Sequence, residues 1–258
     1  IKRDPTRQAR LRRVSAEAVI AHARKVLGSI VRPTNKRVVP LSELPSDEAG
    51  AASDSIDLEA TLEQVPVQEI WVEHSRPRTQ PLILSIDTSL SMTGDKLALT
   101  AVALAVVRLE FPEDPIGVIA FENEAQLLLD PVLGQKKGLG ALIEAFLDVP
   151  AQGYTHLENG ILAALKMQKS MSESNRACRP PSVILLTDGK YTAGRDPEYL
   201  APRFTQLHVL KMGNEVSGIE LCRDLARRGH GSVREVARLE DLPQAMYALV
   251  KELLRGRR

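Results

Sequence analysis

Two rhythms divide this chain. From residue 80 onward, short apolar runs alternate with longer stretches whose apolar residues recur every three or four positions. The runs QPLILSID (80–87) and SVILLTDG (182–189) are apolar without interruption until their last residues, as strands buried on both faces are. Further strands are expected at 68–75, 116–123, 125–132, 206–213 and 232–237, the pair 116–132 forming a hairpin around Asn123–Glu124. Helical periodicity covers 96–111, where Pro112 stops it, then 136–148, 156–171, 218–231 and 239–258. A short helix over 196–204 starts with Asp196 as cap and Pro197 at its first position. Such alternation predicts an α/β fold: a doubly wound, mostly parallel central sheet, helices on both faces and one antiparallel edge strand.

The first 65 residues lack this alternation. Residues 14–31 have the spacing of a short amphipathic helix. The stretch after it mixes Pro, Ser, Ala and acidic residues, a composition too poor in apolar surface to order itself alone. Within it, 56–62 has the pattern of a short helix with Asp54 or Ser55 as cap. The expected division is therefore an N-terminal extension over 1–65, basic and helical and then acidic, followed by a domain over 66–258. Charge sharpens the contrast. Residues 1–40 carry eleven Lys/Arg against two Asp/Glu, a local +9; residues 41–80 carry two Arg against nine Asp/Glu, a local −7. The blocks cancel, and the whole chain is at +1, so no global pull towards nucleic acid or membranes exists.

Aromatic residues make up only 3% of the chain, so the core must be aliphatic. Cys178 and Cys222 stand in unrelated contexts without metal spacing, which is expected of small buried residues in a reducing compartment. No apolar run reaches the ~18 residues of a membrane span, and the start of the chain has no signal-peptide h-region. A cytoplasmic setting without membrane attachment is the expectation. The first residue is Ile1 rather than Met, as expected of a piece of a longer protein.

In a doubly wound sheet, ligands bind beyond the carboxyl ends of the strands. Three segments converge there. The first buried strand runs into DTSLSMT (87–93), which crowds Asp87, Thr88, Ser89, Ser91 and Thr93 together; the loop before the helix at 156 is QGYTH and offers Thr155; the second buried strand ends in Thr187-Asp188-Gly189. Each piece alone has a plainer explanation. Asp, Ser and Thr at a strand-to-helix turn cap orphan N–H groups, Thr155 with Glu158 matches a capping box, and TDG is a common turn. Together they offer two carboxylates and several hydroxyls, which suit a hard cation such as Mg²⁺ or Mn²⁺. No His or Cys lies among them, which argues against zinc. A site with two carboxylates leaves a divalent ion under-neutralised, so it should attract a carboxylate from outside.

The D-x-S-x-S pattern at Asp87, Ser89 and Ser91, the later Thr155 and the T-D-G at Asp188 resemble the von Willebrand factor A domain, over about 80–255. That resemblance implies a Rossmann-like fold and a metal-ion-dependent adhesion site. In it Ser89, Ser91 and Thr155 supply ligand oxygens, and Asp87 and Asp188 act directly or through water, on Mg²⁺, Mn²⁺ or Ca²⁺. Leu90 stands where many relatives have Gly. The implied function is recognition rather than catalysis: a partner protein completes the metal with a Glu or Asp. The basic helical extension is similar to that of bacterial family members working with MoxR-type AAA+ ATPases; magnesium-chelatase D subunits are an alternative, and a nucleic-acid-binding member using the basic arm is another. No aromatic residues are interleaved in that arm for stacking on bases. An enzyme is disfavoured. A phosphatase would need Asp where Ser89 stands, His156 is the only histidine near the site, and no Walker-type loop is present, so nucleotide hydrolysis falls to a partner.

Overall fold

The computed structural model describes residues 5–26, 34–44, 56–63, 69–77, 79–151, 153–174 and 179–255. They fall into two compact units, one made of 1–30 with 79–258, the other of 31–78.

The larger unit is built on a six-stranded sheet in the order β5-β4-β3-β6-β7-β8. Its strands are β3 (Leu82–Asp87), β4 (Ile116–Phe121), β5 (Ala125–Leu129), β6 (Ser182–Thr187), β7 (Leu207–Met212) and β8 (His230–Val236). All neighbours are parallel except β4 and β5, which form the expected hairpin. Every residue of β3, β4, β6 and β7 is buried. Their side chains alternate between two cores. Leu82, Leu84 and Ile86 face one, with α1 (Pro5–Val26), α3 (Asp95–Glu110), α4 (Leu139–Leu147) and α7 (Leu242–Arg255). Ile83, Val183 and Leu185 face the other, with α5 (Leu157–Ser174) and α6 (Ile219–Arg228). Between these faces the direction of winding reverses at β3 and β6, the topological switch point of such sheets.

Two expectations about the N-terminal part change. The basic arm is helical from Pro5, not from residue 14, and Ala16 and Ala23 bury themselves in the larger unit's core, against α3 and α4. It therefore packs within the sheet domain. The other unit holds strand β1 (Thr34–Pro40), in a stretch whose composition predicted no order, paired antiparallel with β2 (Trp71–Pro77). A ladder of backbone bonds orders what the composition alone could not. Its helix α2 (Leu58–Leu62) is capped by Asp57, whose Oδ1 accepts the Ala60 N–H at 3.0 Å. The caps expected for it, Asp54 and Ser55, lie outside the described residues, as does Cys178.

At the amino edge of the sheet, buried polar groups answer one another. Gln80 N–H donates to Asp114 Oδ1 at 2.6 Å, Gln80 Nε2 to Ser182 Oγ at 3.1 Å, and Ser182 Oγ to Gln206 Oε1 at 2.9 Å. Arg179 Nη1 reaches Gln80 Oε1 at 2.9 Å. Beside them, the buried His208 lies 3.0 Å from Ser232 Oγ, which donates to Glu252 Oε2 at 2.6 Å. Burial pushes the His208 imidazole down to about 4.

Candidate metal centre

Because β3 and β6 pair in parallel, with Ile86 opposite Leu186, their carboxyl ends deliver Asp87 and Thr187-Asp188 to one place. Thr187 Oγ1 donates to Asp87 Oδ2 at 2.7 Å. The other carboxylate oxygen of Asp87 accepts the Ser89 N–H at 2.9 Å and turns the chain. A single 3₁₀ turn, Leu90–Met92, follows. It brings Ser91 Oγ to 3.1 Å from Ser89 Oγ. Met92, 1% exposed, anchors the turn from below.

The hydroxyl cluster sorts into two groups. Thr88 Oγ1 donates to the Phe121 carbonyl at 3.1 Å, and Thr93 Oγ1 to the Leu90 carbonyl at 2.9 Å, so both are spent on backbone. The hydroxyls of Ser89 and Ser91 instead lie together, and Ser89 also hydrogen-bonds the Asp87 carboxylate. None of the five caps the following helix: the N-cap of α3 is Gly94, whose φ is 69°, and no side chain caps it. Capping therefore does not explain why these oxygens are here.

Nor is Thr155 a cap. Helix α5 starts at Leu157, and the cap bond is the Asn159 N–H to His156 Nδ1 at 3.3 Å. Glu158, the other half of the expected capping box, turns instead to the Tyr199 hydroxyl and the Arg195 N–H. His156 is thus occupied as a helix cap, with its ring against Gly194. The buried Thr155 is fixed by its backbone. Its carbonyl accepts the N–H groups of Thr192 and Ala193 at 3.0 and 3.2 Å, which ties this loop to the one after β6. No hydrogen bond of the Thr155 hydroxyl occurs among the described residues.

Asp188 is fully buried and engaged at both oxygens. Oδ1 accepts the Lys190 N–H at 3.1 Å, and Oδ2 meets Lys96 Nζ at 3.0 Å. Lys96 also pairs with Glu215 at 2.7 Å, and the weaker contacts of Lys190 to Asp188 and Glu215 lie at 4.0 and 3.8 Å. Burial raises the Asp87 carboxyl to about 6, against the hydrogen bonds from Ser89 and Thr187. The Lys96 ammonium draws Glu215 down to about 2. Lys96 and Glu215 were not singled out from sequence. Their signal was position, since Lys96 opens the helix after the hydroxyl cluster and Glu215 follows the carboxyl end of β7.

Gly189 makes the T-D-G turn possible for two reasons. Its φ is +78°, and a Cβ there would come within 2.4 Å of the Gly218 carbonyl oxygen. Only glycine lets the two loops approach so closely.

The donor set fits a divalent cation. It offers a buried carboxylate, two adjacent hydroxyls and, on a loop tied to the one after β6, Thr155, with a second carboxylate pinned by Lys96. Counting Asp87, Asp188 and Glu215 against Lys96 and Lys190 gives a local charge of −1. Among the described residues no three His, Cys, Asp or Glu gather as a metal group, so the hydroxyls are the substance of the site. Cys222 is buried and its thiol is pushed up to about 12 by burial, which leaves it a packing residue. No helix of the described residues is long and apolar enough to cross a membrane.

Comparison with known proteins agrees with this fold. Residues 82–190 match the family model of the von Willebrand factor type A domain. An uncharacterized protein of Mycobacterium tuberculosis is 35% identical over 120 residues, 45% of this chain but only 18% of that protein's length. Three solved structures share the fold at low identity. A von Willebrand factor type A protein from Catenulispora acidiphila has TM-score 0.54 and 13% identity, covering 88% of this chain and 51% of its own. Proximal thread matrix protein 1 of the mussel byssus, with a zinc-occupied MIDAS motif, has 0.52 and 16%, covering 67% and 48%. An aerotolerance-related membrane protein from Bacteroides fragilis has 0.51 and 17%, covering 69% and 100%. The six-stranded sheet with its helices is thus a von Willebrand factor type A fold, and residues 82–190 carry that family's sequence pattern.

Proposed function

We propose that this domain recognises a partner protein through a divalent metal ion held by Asp87, Ser89, Ser91, Thr155 and Asp188. The observation that carries this reading is the pair of hydroxyls, Ser89 Oγ and Ser91 Oγ, 3.1 Å apart beside the buried Asp87, with neither spent on backbone. Ser89, Ser91 and Thr155 would meet the ion directly. Asp188, already hydrogen-bonded at both oxygens, would act mainly as charge and through water. The bound metal would supply a Lewis-acidic anchor for an outside carboxylate. A divalent ion turns the local −1 into +1, which an incoming Glu or Asp neutralises; such charge-assisted contacts are strong and directional. The reading is of a binding module, not an enzyme.

Mg²⁺ or Mn²⁺ suits the oxygen donors, with Ca²⁺ as an alternative. The zinc in the mussel protein's motif adds zinc to the candidates, despite the lack of His and Cys. An AAA+ ATPase of the MoxR type, or the ring of a magnesium-chelatase-like assembly, is the partner class we infer. Mg²⁺ titration followed by NMR tests the site: resonances of 87–93, 155 and 188 should shift in the wild type and stay still in Asp87→Ala. If neither Mg²⁺, Mn²⁺, Ca²⁺ nor Zn²⁺ moves them, the reading is wrong. A pull-down with a purified MoxR-type ATPase, with and without EDTA, tests the partner class.

A further inference from the structure

Large apolar side chains stand exposed around this centre. Leu90 is 64% exposed, Tyr154 71%, Tyr191 39% and Val216 85%. A single exposed Leu or Tyr needs no explanation, but these four are not scattered. Leu90 lies between Ser89 and Ser91, Tyr154 precedes Thr155, Tyr191 follows Lys190, and Val216 follows Glu215. The loops that carry them are bonded together. The Thr155 carbonyl takes two N–H groups from the loop after β6, and Lys96 joins Asp188 to Glu215 across the loops after β6 and β7. Leu90 is also held: its carbonyl accepts the Thr93 hydroxyl at 2.9 Å, and Met92 anchors the turn. The side chain is pushed out on a fixed support.

We propose that Leu90, Tyr154, Tyr191 and Val216 form an apolar rim that selects the partner. The occupant is a protein segment whose acidic residue is flanked on both sides by large apolar side chains. This rests on the metal-bridged reading above and adds to it the identity of the residues beside the carboxylate. Charge supports the choice of occupant. The metal and the part-exposed Lys190 call for one negative group at the centre. Glu215 and Asp95, at the edge of the same loops, oppose an anionic lipid surface. Rim residues that desolvate a central polar bond are the usual arrangement of a hot spot, and Tyr is among its preferred members.

The test uses the full chain, Mg²⁺ and three blocked hexapeptides with central Leu-Glu-Leu, Ser-Glu-Ser or Leu-Gln-Leu, measured by calorimetry. The Leu-Glu-Leu peptide should bind about tenfold tighter than Ser-Glu-Ser, and the Gln peptide should not bind. In Leu90→Ser/Tyr154→Ser/Val216→Ser, Mg²⁺ binding should persist while the tenfold preference disappears; Leu90→Ser alone serves if the triple variant melts early. Equal binding of the two Glu peptides, or of neither, with Mg²⁺ binding intact, overturns the rim and spares the metal site. No Mg²⁺ binding, or equal binding of the Gln peptide, overturns the metal-bridged reading itself. Light scattering and sedimentation with phosphatidylserine vesicles should show no change. Mg²⁺-dependent dimers or vesicle binding that vanish in the variant would assign the rim to a second copy or to lipid, against the proposal.

Discussion

The two edges of the sheet both gather polar side chains, and they treat them in opposite ways. At the amino edge Gln80, Asp114, Arg179, Ser182 and Gln206 answer each other's hydrogen bonds in a closed set. At the carboxyl edge Ser89 and Ser91 cluster with Asp87, which is buried where its charge is disfavoured. A closed polar set contributes stability and specificity of fold. An open one is a cost to the metal-free protein, and it makes sense where a ligand completes it. Composition alone cannot tell the two apart, because both draw on Asp and Ser; the partner that each oxygen finds can.

The largest predicted effect separates the edges outright. Asp87→Ala should weaken Mg²⁺ binding by about a hundredfold or more, at a metal-free cost of about 1–3 kcal/mol because the Ser89 N–H and the Thr187 hydroxyl lose their acceptor. Asp114→Ala should cost about as much stability, since the Gln80 N–H is left unanswered, with the Mg²⁺ titration unmoved. Denaturant melts and calorimetry on both variants decide it. If Asp114→Ala alters Mg²⁺ binding as much as Asp87→Ala does, the edges are not independent.

Gly189→Ala should combine both losses. A Cβ at φ +78° facing the Gly218 carbonyl at 2.4 Å strains the turn by about 1–3 kcal/mol and shifts Asp188, with metal affinity reduced about tenfold. An unchanged affinity in a destabilised variant would remove Asp188 from the site.

Acid should act on the edges with opposite signs. Asp87 has a folded pKa of about 6, above its ordinary 3.8. Its burden on the metal-free fold is present above pH 6 and relieved as pH falls towards 4, while metal affinity drops through pH 6 because protons compete. His208 has a folded pKa of about 4, below its ordinary 6.5. Its contribution is present above pH 6.5 and lost as pH falls through 4. Melts of Asp87→Asn and His208→Gln from pH 4 to 7.5 should therefore differ from the wild type with slopes of opposite sign. The smallest effect belongs to Lys96→Met, which removes a positive charge 3.0 Å from Asp188 and should tighten Mg²⁺ binding a few-fold.

The sheet domain was largely readable in the sequence, because a parallel sheet buried on both faces writes itself as unbroken apolar runs such as 82–87 and 182–187. The five candidate metal residues could be named because each stands at a carboxyl end or just before a helix. What could not be read was which hydroxyls were already spent. Thr88 and Thr93 look like Ser89 and Ser91 until the carbonyls of Phe121 and Leu90 are placed in space. The Lys96–Asp188 pair, 92 positions apart, has no local signal either. The strand at 34–40 was hidden for a similar reason: its order comes from a partner more than thirty residues away at 71–77.

Helix α1 leaves one consequence for the way the chain is made. It is among the first described parts to emerge during synthesis, yet the helices it packs against, α3 and α4, end at residues 110 and 147. At ordinary translation speeds its apolar strip, Ala16, Val19 and Ala23, waits on the order of ten seconds for a home. The arginines on its outer face are what keep that waiting helix in water.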